Sequence, residues 1–434
     1  MSEADEIAGR SPAKPLLVIV SACDFPNGLA APYRIRMFGK AFASVGYEAL
    51  GVFQYAPGVA TPGQNTELAG EFDGVRFVYP LGALRPPTSV WRMFWYKSWG
   101  LWVTLRHLRC LAQERRIDVI LSYGNTFLED YFYARLARSV GARFILEICD
   151  SPLVILNHAG GWSKRLKERI KYQLALWKDR HVLPRADHLF VITRNLFDRY
   201  RQVIAPERIL LTPIIADADA FPQDRSPATG PAKLLWIGNF RPFEGLEFLV
   251  ETVACLARRR QDFICEVYGV TPKHEAYAAK LRQRIEALGI GERVRLHPAI
   301  PHRQVPALLQ KADVLLIPRE DSELNRSNLP TKLVDYLMSG RPVVSSRVGE
   351  IVRYAEHRRH IIYADDPSVE AFARAVEEVL SRPDRGDALG QNGRELAKVQ
   401  FDYRQVGRSI GRFLNAGKPR SNQSDQESIS PPND

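Results

Sequence analysis

The sequence has no run approaching the roughly 18 uninterrupted apolar residues that a membrane-spanning helix needs. It has five cysteines, Cys23, Cys110, Cys149, Cys255 and Cys265, and no CxxC. An odd, scattered set argues against a disulfide framework and against a structural zinc site, and reads instead as reduced, mostly buried thiols. None of the nine histidines has metal-ligand spacing such as HExxH, so no metal is expected. Nothing repeats at a fixed short period, which argues against a solenoid. The opening MSEADEIAGRSPAK is acidic and polar, and the apolar PLLVIVSA after it is too short and wrongly flanked for a signal peptide. A cytoplasmic protein is therefore expected.

What is present is ordinary globular composition on a long chain. At 434 residues, with 45% apolar and 25% charged content, the chain suits two domains. The net charge of +11 requires an anionic partner, with nucleic acid, an anionic membrane surface and phosphate-bearing substrates as the candidates. In the second half, short apolar strands alternate with amphipathic helices: AKLLWIG, LEFLVETVACLARRR, DFICEVYGV, HEAYAAKLRQRIEALG, RVRLHPAI, RQVPALLQKA, DVLLIP. That rhythm means βαβ units and a parallel sheet covered on both faces. The first half repeats it less cleanly through PLLVIVSA, YEALGVFQY, GVRFVYPL, DVILSYG, ARFILEICD and DHLFVIT.

The pattern predicts an α/β fold of two Rossmann-like, doubly wound parallel-sheet domains facing across a cleft. The expected bounds are a disordered stretch at 1–14, an N-terminal acceptor-side domain at 15–221, a linker at 222–231 and a C-terminal donor domain at 232–400. A helix at 401–415, crossing back to the first domain, and a disordered tail at 416–434 complete the chain.

Doubly wound sheets bind ligands at the carboxyl ends of their strands, where helix N-termini suit a phosphate. Three stretches fall there. In SNLPTKLVDYLMSG (327–340), Pro330 suits a first helical turn and leaves the amides near Asn328, Leu329 and Thr331 to face the cleft. Lys332 would neutralise a diphosphate and Asp335 would accept a ribose diol, although both residue types also serve as plain solvated helix charges. In GNFRPFEG (238–245), Gly238 permits close backbone approach and Arg241 offers a bidentate fork, or else is a loop arginine in water. In DFPNGLAAPYRIR (24–36), Asn27 and Gly28 suit a tight turn that leaves room for a substrate, or form a plain loop.

Taken together, a PNG first loop, Asp217 to Phe221 as D-x-x-x-F, the WIGNFRPFEG loop and PTKLVDYLMSGRPVV resemble the group 1 family of retaining nucleotide-sugar glycosyltransferases, of GT-B architecture. The resemblance covers nearly the whole chain. It implies a transferase, without a cofactor, that moves a sugar from a nucleotide-diphosphate sugar to a glycan or lipid-linked acceptor with retention of anomeric configuration. Metal independence is expected separately, because no Asp-x-Asp or histidine cluster is read as a metal site. A nucleotide-sugar epimerase of the same architecture and a non-catalytic scaffold are the competing readings. The resemblance implies that Arg241, Lys332 and the amides near Leu329 meet the diphosphate and that Asp335 binds the ribose. The family has a basic residue where this chain has Glu244, an acid where it has Ser327, and N-G-V-D where it has Ile214 to Asp217. Glu323, or Glu320 and Asp321, would stand in for the missing acid. On the acceptor side, FILEICD offers Glu147 and Asp150, each of which alone reads equally as a sheet-end carboxylate capping a helix.

Much of the positive charge falls in two segments. Residues 162–181 hold seven Lys or Arg against two acids, with Leu166, Ile170, Leu174 and Trp177 on one helical stripe. Trp91, Trp95, Trp99 and Trp102 follow similar spacing on an earlier helix. Basic, aromatic and amphipathic together suit the surface of an anionic membrane, which would place the protein peripherally on the inner face of the cell membrane. A tryptophan stripe at this spacing reads as well as packed core. Nucleic acid is not expected, since no binding motif accompanies the charge.

Overall fold

The computed structural model describes residues 14–26, 30–55, 65–82, 84, 89–149, 162–223, 230–326, 328–382, 384 and 386–416. The N-terminal half runs β1 (Leu16–Ser21), α1 (Ala30–Ala43), β2 (Glu48–Phe53), β3 (Ala69–Phe72), β4 (Val75–Val78), α2 (Val90–Glu114), β5 (Val119–Tyr123), α3 (Phe127–Val140), β6 (Arg143–Ile148), α4 (Trp162–His181), β7 (His188–Val191), α5 (Arg194–Tyr200) and β8 (Ile209–Leu211). Its sheet has the order β3-β4-β2-β1-β5-β6-β7-β8, and every neighbouring pair is parallel except β3 with β4. β1 is LLVIVS, buried at all six positions, as a strand covered on both faces requires. Leu16, Val18 and Val20 pack on one face with residues of α2 and α3, whereas Leu17 and Ile19 pack on the other with α1.

The C-terminal half runs β9 (Ala232–Ile237), α6 (Leu246–Ala257), β10 (Phe263–Val270), α7 (Glu275–Ala287), β11 (Val294–Pro298), α8 (Val305–Leu309), β12 (Val314–Ile317), α9 (Glu323–Arg326), α10 (Thr331–Met338), β13 (Val343–Ser345), α11 (Ile351–Tyr354), β14 (Ile362–Tyr363), α12 (Val369–Leu380), α13 (Asp387–Phe401) and α14 (Tyr403–Ala416). Its parallel sheet has the order β11-β10-β9-β12-β13-β14. The strand order reverses between β9 and β12, so the crevice that doubly wound sheets use for ligands opens where the loops after these two strands part.

The two halves are joined by contacts at Asp402 and at Glu350. At Asp402 the chain turns back: Ala216 N–H donates to the Phe401 carbonyl at 2.8 Å and Tyr403 N–H to the Ala216 carbonyl at 2.9 Å. α14 then lies along α1, burying Val406, Ile410 and Leu414 in the N-terminal core. The helices approach so closely that a Cβ on Gly407 would stand 2.3 Å from the Ala41 carbonyl oxygen. At the second contact, the buried carboxylate of Glu350 accepts from the first amides of α5, Arg194 N–H at 3.1 Å and Asn195 N–H at 3.2 Å. One carboxylate from the C-terminal domain thus caps a helix of the other domain.

β3 and β8 have little sequence signal. β3 is exposed at all four positions and so shows no apolar alternation, and β8 has only three residues. Within the stretches expected to lack order, residues 1–13 and 417–434 lie outside the described residues, and Ala416 closes α14.

Candidate functional site

The loop that leaves β9 is pressed against the end of β12. Gly245 has φ 77°, and a Cβ there would stand 1.6 Å from the Pro318 carbonyl oxygen, so only glycine fits the position. That contact brings Glu244 to the N-terminus of α10. Lys332, the second residue of α10, extends back across the crevice floor, its Nζ 2.7 Å from Glu244 Oε2 and 4.0 Å from the centre of the Trp236 ring. Gly238 makes room for it, since a Cβ there would stand 2.8 Å from the same Nζ. Arg319, two residues after β12, places Nη2 3.5 Å from Glu244 Oε1.

Two cations therefore share one carboxylate in a site where all three side chains are buried. Burial pushes the Lys332 ammonium down to about 8, with Glu244 opposing and the Arg319 charge adding to the fall. Burial works to raise Glu244, but the charges of Lys332 and Arg319 outweigh it and hold the carboxyl below its usual range. Arg319 is also lowered by burial, against Glu244, yet an arginine stays charged at any physiological pH. Its Nε and Nη1 are buried and have no hydrogen-bond partner among the described residues. Buried donors of this kind are rare and call for an acceptor. The site as a whole is one charge positive, next to a helix N-terminus that no side chain caps.

The other expected residues fall as follows. Arg241 is exposed in the β9 loop, with its guanidinium 5.8 Å from the Phe243 ring centre. Asp335, half-buried and one turn beyond Lys332, has Oδ2 3.5 Å from His302 Nε2. The His302 ring in turn packs at 4.3 Å on Tyr33, which reaches over from α1 of the other domain. Thr331 is exposed and Asn328 half-buried, whereas the Leu329 side chain is core beneath α10. Glu323 opens α9, but its side chain, like Ser327, lies outside the described residues. Asp321 is held by Arg326 at 2.6 Å, and Glu320 is exposed. Asn27, Gly28 and Asp150 also lie outside the described residues.

Glu147 is buried at the end of β6, where its Oε1 accepts from Arg34 Nε at 2.9 Å and Nη2 at 2.7 Å. The same guanidinium donates to the Thr212 carbonyl at 2.8 Å, so the pair ties α1 and β6 to the exit of β8. Burial raises Glu147, with Arg34 pulling the other way.

Lys332, whose place in the sequence leaves it free to meet a ligand, is held by Glu244 in the structure. The sequence pattern gives no role to Arg319 or Tyr33, and gives His302 only a structural or surface one. The signal for Arg319 was a charge directly after the buried run DVLLIP, a place where a side chain points into the crevice. Contrary to the expectation from the sequence, the chain contains one Asp-x-Asp, Asp217 to Asp219. Asp217 pairs with Lys40 and Asp219 with Arg404, and no group of three metal-ligating side chains occurs among the described residues.

Residues 33–214 match the glycosyl transferase 4-like domain, and residues 217–396 match the glycosyl transferases group 1 model. The chain belongs to the group 1 glycosyltransferases. Similar proteins include an alpha-D-kanosaminyltransferase of Streptomyces kanamyceticus, 22% identical over 72% of this chain and 80% of its own length. A GDP-mannose-dependent alpha-(1-6)-phosphatidylinositol monomannoside mannosyltransferase of Mycolicibacterium smegmatis is 25% identical over 64% and 72%. Among solved structures, the sucrose-phosphate synthase of Thermosynechococcus elongatus superposes with a TM-score of 0.69 at 16% identity, covering 93% of this chain and 99% of its own. Anabaena HepE in complex with UDP and glucose superposes with a TM-score of 0.63 at 15% identity, covering 92% and 99%. The fold of this group 1 glycosyltransferase is GT-B, as in these neighbours.

Proposed function

We propose that this glycosyltransferase moves a sugar from a nucleotide-diphosphate sugar to a glycan or lipid-linked acceptor, without a metal and with retention of anomeric configuration. The observation that carries the reading is the cluster of Lys332, Arg319 and Glu244 at the start of α10. It supplies two cations, one of them with unpartnered buried N–H groups, where negative charge would grow on a leaving diphosphate. Preorganised donors aimed at developing charge are worth more in a buried site than in water.

In the proposed step the bond from the anomeric carbon to the diphosphate oxygen breaks, and its electron pair goes to the phosphate. Arg319, Lys332 and the α10 amides take up that charge, with Arg241 approaching from the β9 loop. Glu244 holds Lys332 until a phosphate oxygen replaces its carboxylate. An acceptor hydroxyl adds to the same face of the sugar and passes its proton to the leaving phosphate. Asp335 receives the ribose diol. The assignment of Glu323 to the sugar hydroxyls and of Asn27, Gly28 and Asp150 to the acceptor rests on the sequence alone, since the Glu323 side chain and the other three residues lie outside the described residues. Glu147 acts there through Arg34, as a positioning residue. The ion pairs of Asp217 and Asp219 support a reaction that does not draw on that motif for a metal. The relatives that bind UDP or use GDP-mannose make uridine and guanosine the first bases to try.

The test is thermal stabilisation by UDP, GDP, ADP and CDP in the presence of a chelator, repeated with Lys332→Ala and Asp335→Ala. A ligand present at 100 times its Kd stabilises the folded state by about 2.7 kcal/mol. One nucleotide should do so, and both substitutions should weaken it. If none stabilises the protein, Glu244 neutralises the site permanently and the non-catalytic scaffold is the better reading.

A further inference from the structure

The helices α2, α3 and α4 lie side by side on one face of the N-terminal sheet, with α3 packed against the other two. α2 buries Leu101, Leu105 and Leu108 against the sheet. Its tryptophan stripe points the other way: Trp91, Trp95, Trp99 and Trp102 are between 46% and 79% exposed, which corrects their reading as packed core. The stripe of α4, Leu166 through Trp177, is likewise 45% to 55% exposed, and none of the α4 side chains described is buried. Leu128 and Phe132 of α3 are exposed between the two stripes. α4 is anchored through the ion pair of Lys178 with buried Asp130 and through Trp177, whose ring centre is 6.0 Å from that of Phe127. The result is a broad apolar aromatic face of a kind that monomeric proteins rarely leave open without a partner.

Charge decides which partner. α2, α3 and α4 carry four, two and seven Lys or Arg, against one, two and two acids. Of the acids, Glu129 and Asp130 are buried and Asp179 is bonded to Tyr200 and Arg199. Arg92, Arg106, Arg135, Arg169, Lys171 and Arg180 are exposed on the three helices. A second copy of this face would set these cations against themselves, which opposes a symmetric dimer. An anionic bilayer complements them: tryptophans sit at the headgroup boundary, and lysines and arginines meet the lipid phosphates.

We propose that the α2–α3–α4 face docks the N-terminal domain on an anionic lipid surface. This inference is independent of the donor site, on the other domain, so either can fail without the other. The experiment is flotation of the full chain with vesicles of equal phosphatidylglycerol and phosphatidylcholine, and with phosphatidylcholine alone, at low and high salt. The partition onto the anionic vesicles should be at least tenfold higher and should fall with salt, and tryptophan emission should shift to the blue and be quenched by bromine-labelled acyl chains. Arg169→Glu with Lys171→Glu, and separately Trp91→Ser with Trp99→Ser, should each lower the partition at least fivefold. Circular dichroism and nucleotide stabilisation should stay unchanged, which separates lost docking from lost folding. Equal partition onto both vesicles, no partition at all, or a concentration-dependent dimer that the tryptophan variant abolishes would overturn the proposal.

Discussion

Glu244 and Lys332, 88 positions apart in the chain, meet at 2.7 Å on the floor of the crevice of the C-terminal domain. The carboxylate occupies the place that an anionic ligand of Lys332 and Arg319 would take, so the two compete. Glu244→Gln removes the competitor and leaves two buried cations unbalanced. Breaking a buried pair from one side costs about 3 kcal/mol or more. We expect the variant to unfold earlier in urea, and to gain a larger stabilisation than the wild type from whichever nucleoside diphosphate binds. A smaller gain would show that Glu244 assists the ligand rather than opposing it.

The depressed ammonium of Lys332 makes both stability and binding depend on pH. Its folded value is about 8 against an ordinary 10.5, so between those values the unfolded chain holds more protons at this group. The penalty is fully present below about pH 8 and is relieved as pH rises towards the ordinary value, at up to about 1.4 kcal/mol per pH unit. Lys332→Met should flatten that rise when urea denaturation is followed from neutral pH to pH 10. Nucleotide affinity of the wild type should move the opposite way, weakening above pH 8 as the ammonium loses its charge. Calorimetric titrations at three pH values check this.

Gly245→Ala tests whether backbone placement underlies the site. The left-handed conformation alone costs a β-carbon about 1–2 kcal/mol. The clash with the Pro318 carbonyl requires the β9 and β12 loops to part as well. A loss of about 3 kcal/mol or more is expected, together with loss of nucleotide stabilisation, because Glu244 and Arg241 share that loop. A variant as stable as the wild type would show that the contact between the loops is dispensable.

Glu350→Ala probes the junction between the domains. It removes the acceptor for the amides of Arg194 and Asn195 while Thr193 still caps Leu196 N–H at 3.3 Å. Loss of one cap of this kind costs about 1–2 kcal/mol. Hydrogen exchange should quicken at the start of α5 and leave β9 and β12 as protected as before. Faster exchange throughout the C-terminal sheet would mean that the junction stabilises that domain globally.

The sequence by itself determined the two parallel sheets, because strands such as LLVIVS and VLLI are covered on both faces and must be apolar along their length. It also determined that a helix begins after Pro330 and puts Lys332 in its first turn, since proline restricts the backbone locally. Tertiary structure decided which charges meet. Nothing near Lys332 in the chain shows that Glu244 will hold it, nor near Asp335 that His302 and Tyr33 will cover it. It also decided that the four tryptophans of α2 face outward, because a stripe at helical spacing looks the same whether a sheet or solvent lies beside it. Spacing is set by local backbone geometry, whereas burial and ion pairing depend on contacts between residues that only the folded chain brings together.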